Sequence, residues 1–76
     1  MLTRLRRSNA EKATRAVKEF VTEHREPAQA HQVGAILGCV SRRQLFRWIA
    51  DARELGLIRE GRGYWPSDMP EPGSPT

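Results

Sequence analysis

The run Ser41-Arg42-Arg43-Gln44-Leu45-Phe46-Arg47 gathers three arginines and two neutral hydrogen-bonding side chains within seven residues. A guanidinium carries a permanent charge and a rigid fork of N–H donors, which matches a carboxylate, a phosphate or the O6/N7 edge of guanine. Apolar residues recur at helical spacing from Leu45 onward, so the arginines fall at a helix N-terminus. Positive charge there is disfavoured by a few tenths of a kcal/mol up to about 1 kcal/mol. A phosphate backbone alongside would more than offset that cost.

Charge elsewhere follows the same theme. The 76 residues carry a net charge of +4, distributed as +5 over residues 1–18, −2 over 19–38, +3 over 39–62 and −2 over 63–76. The first basic block includes Arg4, Arg6 and Arg7, and the second also holds Arg59 and Arg62. Such a balance favours a nucleic acid, an acidic membrane surface or an acidic protein as partner.

Other chemistries find no support in the residue pattern. His24, His31 and Cys39 lack metal-ligand spacing, and no Ser-His-Asp or Cys-His set with orienting groups is readable. "EGRGYW" lacks the lysine and following helix of a phosphate-binding loop. The chain is therefore expected to be no enzyme, with no metal, no cofactor and no small-molecule substrate. The single Cys39 rules out an internal disulfide and is expected to pack in a turn as a small apolar residue. No apolar run approaches the roughly 18 residues of a membrane span, and no apolar segment follows the basic N-terminus. The expectation is a cytoplasmic protein without membrane contact.

Four elements must position these groups. "SNAEKATRAVKEFVTEHRE" predicts a first helix, with Ser8 and Glu11 as a capping box and an inward stripe of Ala13, Ala16, Val17, Phe20 and Val21. Pro27 ends it near Glu26. "AQAHQVGAILG" predicts a second helix buried through Val33, Ile36 and Leu37. Gly34 within it points to close approach by another helix, and Gly38 is placed to end it in a left-handed conformation. A third helix runs over 42–55, with Ser41 as N-cap, Gln44 completing a box and Val40 stapled to Leu45. Its inward stripe is Leu45, Trp48, Ile49 and Ala52, with Leu55 at the edge. Gly56 caps the end and Leu57 folds back on it. "LIREGRGYW" predicts a hairpin over 57–65 turning at Gly61-Arg62-Gly63, with Leu57 or Ile58 and one of Tyr64 and Trp65 facing in. The expected organisation is a basic arm at 1–8, a domain at 9–66 and a disordered tail at 67–76.

Helix, helix, turn, helix and glycine-turned hairpin, carried by "VGAILGCVSRRQLFRWIADARELGLI" and "REGRGYW", resembles a winged helix-turn-helix DNA-binding domain. The likeness covers residues 9–66 and is similar to small bacterial and phage transcription regulators. "LGCVS" holds one residue more between glycine and serine than simple helix-turn-helix sequences do, and Gly34 stands where alanine is common. The implied fold is mainly α with a small β-hairpin, three helices plus a two-stranded wing.

The resemblance implies sequence-specific binding of double-stranded DNA by a repressor-like regulator in a bacterial cytoplasm or phage-infected host. Helix 42–55 would enter the major groove. With Leu45 facing inward and about 100° per residue, Arg43, Arg47, Ala50 and Glu54 point outward, with Arg42 on a flank. The expected DNA-binding set is Ser41, Arg42, Arg43, Gln44 and Arg47 on the helix, Arg59 and Arg62 on the wing, and Arg4, Arg6 and Arg7 on the arm. Phe46 is expected on a flank, partly buried under the first helix or presenting an exposed apolar spot to a thymine methyl or a partner protein. A homodimer is implied as possible, with Leu2, Leu5, Phe46 and Trp65 as candidate contacts. A second reading is a protein-interaction winged helix, such as a phage-encoded inhibitor of a host protein.

Overall fold

A computed structural model describes residues 3–38 and 40–69. Three helices, α1 (Arg4–His24), α2 (Ala30–Leu37) and α3 (Arg42–Glu54), precede a hairpin of β1 (Ile58–Glu60) and β2 (Tyr64–Pro66). The protein is thus mainly helical, with three helices and one two-stranded antiparallel sheet.

Helix α1 starts earlier than Ser8. Thr3 Oγ1 accepts from Arg6 N at 3.2 Å and serves as the N-cap. The expected arm at 1–8 is, from Arg4 onward, helix. The longer helix has a physical reward: Ala10 is fully buried ahead of Ala13, Ala16, Val17, Phe20 and Val21. The helix ends at His24, two residues before Glu26. Arg25 caps it in the left-handed region (φ 58°), its N–H bonded to Val21 O at 2.8 Å.

Between α1 and α2 lies an element absent from the sequence pattern. Ala28 donates to Tyr64 O (3.1 Å) and accepts from Tyr64 N (2.8 Å), an isolated bridge on the free side of β2. This extended segment delays α2 to Ala30. Gln32 Oε1 then accepts from Gln29 N at 2.8 Å, securing the first turn. Val33 is buried, but Ile36 is exposed and Leu37 only half-buried, so the inward face of α2 is narrower than expected. At Gly34 the two helices approach closely: a Cβ there would lie 3.1 Å from Leu45 Cδ2 of α3. Gly38 takes a positive φ of 84°, as expected, but its ψ of −124° lies outside the left-handed helical region.

Helix α3 follows local rules at both ends. Ser41 Oγ accepts from Gln44 N at 3.2 Å, one half of the expected box. At the other end Gly56 (φ 75°) donates to Arg53 O and Leu57 to Ala52 O, a Schellman motif. Leu45, Ile49 and Ala52 are buried, whereas Trp48 is half-buried and Asp51 takes a buried place instead. The reason is the early start of α1, which covers that flank and supplies Arg6 to the carboxylate. Arg6 Nη2 donates to Asp51 Oδ1 at 2.6 Å and Nε to Oδ2 at 3.3 Å. The hydrogen bond, and then the attraction to this carboxylate, push the Arg6 pKa above its ordinary value.

In the hairpin Ile58 pairs with Pro66, Arg59 with Trp65 and Glu60 with Tyr64. Ile58 and Trp65 face the helices and are buried, while Leu57 and Tyr64 are half-buried. Burial of the Trp65 ring contributes about 4–6 kcal/mol for roughly 150–250 Å². That exceeds the cost, about 1–3 kcal/mol, of leaving its indole N–H without a partner among the described residues. Residues 67–69 turn back: Ser67 N bonds Leu57 O, and Met69 packs on the core. The expected packing of Cys39 and the remainder of the tail, residues 70–76, lie outside the described residues, as do Met1 and Leu2.

Candidate nucleic-acid interface

The buried side of α3 is set by Leu45, Ile49 and Ala52, and this leaves Arg43, Arg47, Ala50 and Glu54 on its outer side, all exposed. Arg42, Ser41 and Gln44 are exposed at the start of the same helix. No acidic residue occupies its first turn. Among the described residues the ion pairs are Arg6–Asp51, Arg7–Glu11, Lys18–Asp68 and Arg53–Glu60. Arg42, Arg43 and Arg47 belong to none of them. The arginines at the opening of α3 therefore stand exposed, without an ion-pair partner among the described residues.

Arg42 is held in a particular place. Its guanidinium carbon lies 5.7 Å from the centre of the Phe46 ring, one turn on, a cation–π geometry. Phe46 itself is 43% exposed. It is not among the residues of the core cluster; it borders a cleft between α2 and the start of α3, walled by Ala30, His31, Gly34, Val40 and Leu45.

The hairpin tip is held to the start of α2. Gln29 Nε2 donates to Arg62 O at 2.9 Å, so the backbone at Arg62 is anchored while its side chain is exposed. Gly63 is buried against this connection: a Cβ there would meet Pro27 Cβ and Gln29 Nε2 at 2.7 Å and Ala28 O at 2.9 Å. A shallow depression continues from Ala30 past Gln29 to Gly61, Arg62 and Gly63. The start of α2 is thus common to the flank of α3 and the hairpin tip.

The other expected residues divide. Arg59 is exposed, with its Nη2 donating to Met69 O at 2.7 Å, toward the chain that follows β2. Arg4 is exposed in the first turn of α1. Arg6 is the clearest correction: its guanidinium is occupied by buried Asp51, in place of extending from a basic arm. Arg7 leans on Glu11 at 3.8 Å. Of the candidate dimer contacts, Trp65 is buried, and Leu5 is 71% exposed.

Sequence reasoning missed Gln29, which fixes the hairpin tip, and Asp51, which fixes α3 to α1. Neither carries a local signal, because each acts on a residue more than thirty positions away. Around the hairpin, burial and then the charge of Glu60 push the Tyr64 phenol up from 10.0. The Lys18 ammonium, 2.8 Å from Asp68, holds that carboxyl below the ordinary aspartate value. Among the described residues, no group of three His, Cys, Asp or Glu side chains is arranged to hold a metal, and no helix is long and apolar enough to cross a membrane.

No family model, curated protein or solved structure matches this chain.

Proposed function

We propose that this protein is a winged helix-turn-helix regulator that binds double-stranded DNA sequence-specifically, without catalytic activity. Helix α3 enters the major groove, where Arg43 and Arg47 reach base edges and Arg42, Ser41 and Gln44 meet backbone or base edges at its start. The β1–β2 hairpin acts as the wing, with Arg62 on a phosphate or in the minor groove. Arg4 and Arg59 lie outside this central set, and Arg6 serves the fold. Occupation of an operator would block transcription, and a homodimer on a two-fold site, with Leu5 as a contact, would enlarge a small interface.

One observation carries this reading: three exposed arginines open α3 without an acidic partner among the described residues. Elsewhere, among the described residues, four basic side chains pair with carboxylates, so acids to neutralise the helix start are not foreign to the surface. Leaving that charge free has an electrostatic cost that a polyanion removes.

The test is a fluorescence-anisotropy titration of random-sequence duplex at several salt concentrations. Contact with about five phosphates predicts a log–log slope near −4.5. No duplex affinity at low salt would move the assignment to a protein partner for the same helix.

A further inference from the structure

We infer that Phe46 is a specificity-determining residue that reads the 5-methyl group of a thymine beside the base pair contacted by Arg43; this rests on the DNA-binding reading above. Phe46 is the one large apolar side chain exposed among the arginines of α3. On the helix surface it neighbours Arg42 and Arg43 on the preceding turn and exposed Ala50 on the next. An apolar strip, Phe46 and Ala50, therefore runs beside a basic strip, Arg43 and Arg47.

In the major groove that combination has a specific complement. Guanine offers O6 and N7 acceptors to a guanidinium, and thymine offers the groove's one methyl group to an apolar surface. Three residues of helix advance about 4.5 Å, so Phe46 and Arg43 address neighbouring base pairs. The ring is already restrained, since it borders the walls of the α2–α3 cleft and carries the Arg42 guanidinium 5.7 Å from its centre. Little side-chain freedom remains to be lost on contact. A solvated polar residue would serve a free helix face better than a ring that is 43% exposed.

The experiment uses the full chain and a duplex selected in vitro from a random pool. Each thymine is replaced singly by deoxyuridine, which keeps base pairing and removes only the methyl. At one thymine next to a guanine, the wild-type protein is expected to lose about fourfold in affinity, the value of one buried carbon. Phe46→Ala should bind thymine and uracil duplexes equally well, while Arg43→Ala keeps the thymine preference. Tight binding of the selected duplex with no uracil effect at any position overturns the assignment to Phe46 and leaves DNA binding intact. The same holds if Phe46→Ala retains the fourfold preference. Failure to bind any duplex overturns both.

Discussion

Gly63→Ala isolates how the hairpin is held. Gly63 has no left-handed backbone, so its requirement is for space alone. Its added methyl would sit 2.7 Å from Pro27 Cβ and 2.9 Å from Ala28 O. Ordinary carbon contacts lie at about 3.5–4.0 Å, so hairpin and connection must part by roughly an ångström. The Gln29 amide, 2.7 Å away, can swing aside, but the main chain at Ala28 and the Pro27 ring cannot, so the movement falls on them. It strains both Ala28–Tyr64 hydrogen bonds and the Gln29–Arg62 bond. Overpacking typically costs about 1–3 kcal/mol, and loss of two backbone bonds at about 0.5–1.5 kcal/mol each gives a similar figure. For a domain of this size the Tm should fall by roughly 5–20 °C. Thermal unfolding followed by circular dichroism measures the loss, and amide shifts at Ala28, Gln29 and Tyr64 locate it. An unchanged Tm with those amides undisturbed would show that the connection yields freely, and the reasoning about a clamped hairpin would fail.

Gly34→Ala has the opposite character: the 3.1 Å neighbour is a methyl of Leu45 that borders an open cleft, and alanine gains up to about 1 kcal/mol of helix propensity. Its Tm should rise or stay level, and a fall comparable to that of Gly63→Ala refutes the distinction. In the Arg6–Asp51 pair, Arg6→Ala should destabilise more than Asp51→Ala, because the first strands a buried carboxylate and the second frees an arginine already 46% exposed; urea unfolding of both variants decides it. Asp68, held low by Lys18, contributes stability above the unfolded aspartate pKa and loses it as pH falls through the lower folded value. Lys18→Ala should return Asp68 to the ordinary aspartate range in an NMR titration, and an unmoved value contradicts the pairing. On DNA, Arg43→Ala should relax preference at one base pair and cost about 1–3 kcal/mol, whereas Arg62→Ala should weaken all sequences alike; identical behaviour on selected and random duplex would refute that division of roles.

What could be read from the sequence alone was local in origin. The Ser41 cap, the Gly56–Leu57 termination of α3, the apolar stripe of α1 and the turn at Gly61–Gly63 each depend on residues a few positions apart. The outward direction of Arg43 and Arg47 follows from the same periodicity once Leu45 is turned inward. Close approach at Gly34 was signalled too, because a glycine inside a helix needs a reason. Local rules at the head of α1 pointed to a cap at Ser8, however, and the structure places it at Thr3. The choice came from Asp51, 45 positions beyond Arg6, whose burial requires a cation that only the longer helix delivers. Likewise Ala28 is an unremarkable alanine until Tyr64 lies beside it, and Trp48 yields part of its inward place because α1 covers the Asp51 flank instead. Periodicity specifies which face of an element is apolar; which partner covers it, and how far around, is settled by packing between distant segments.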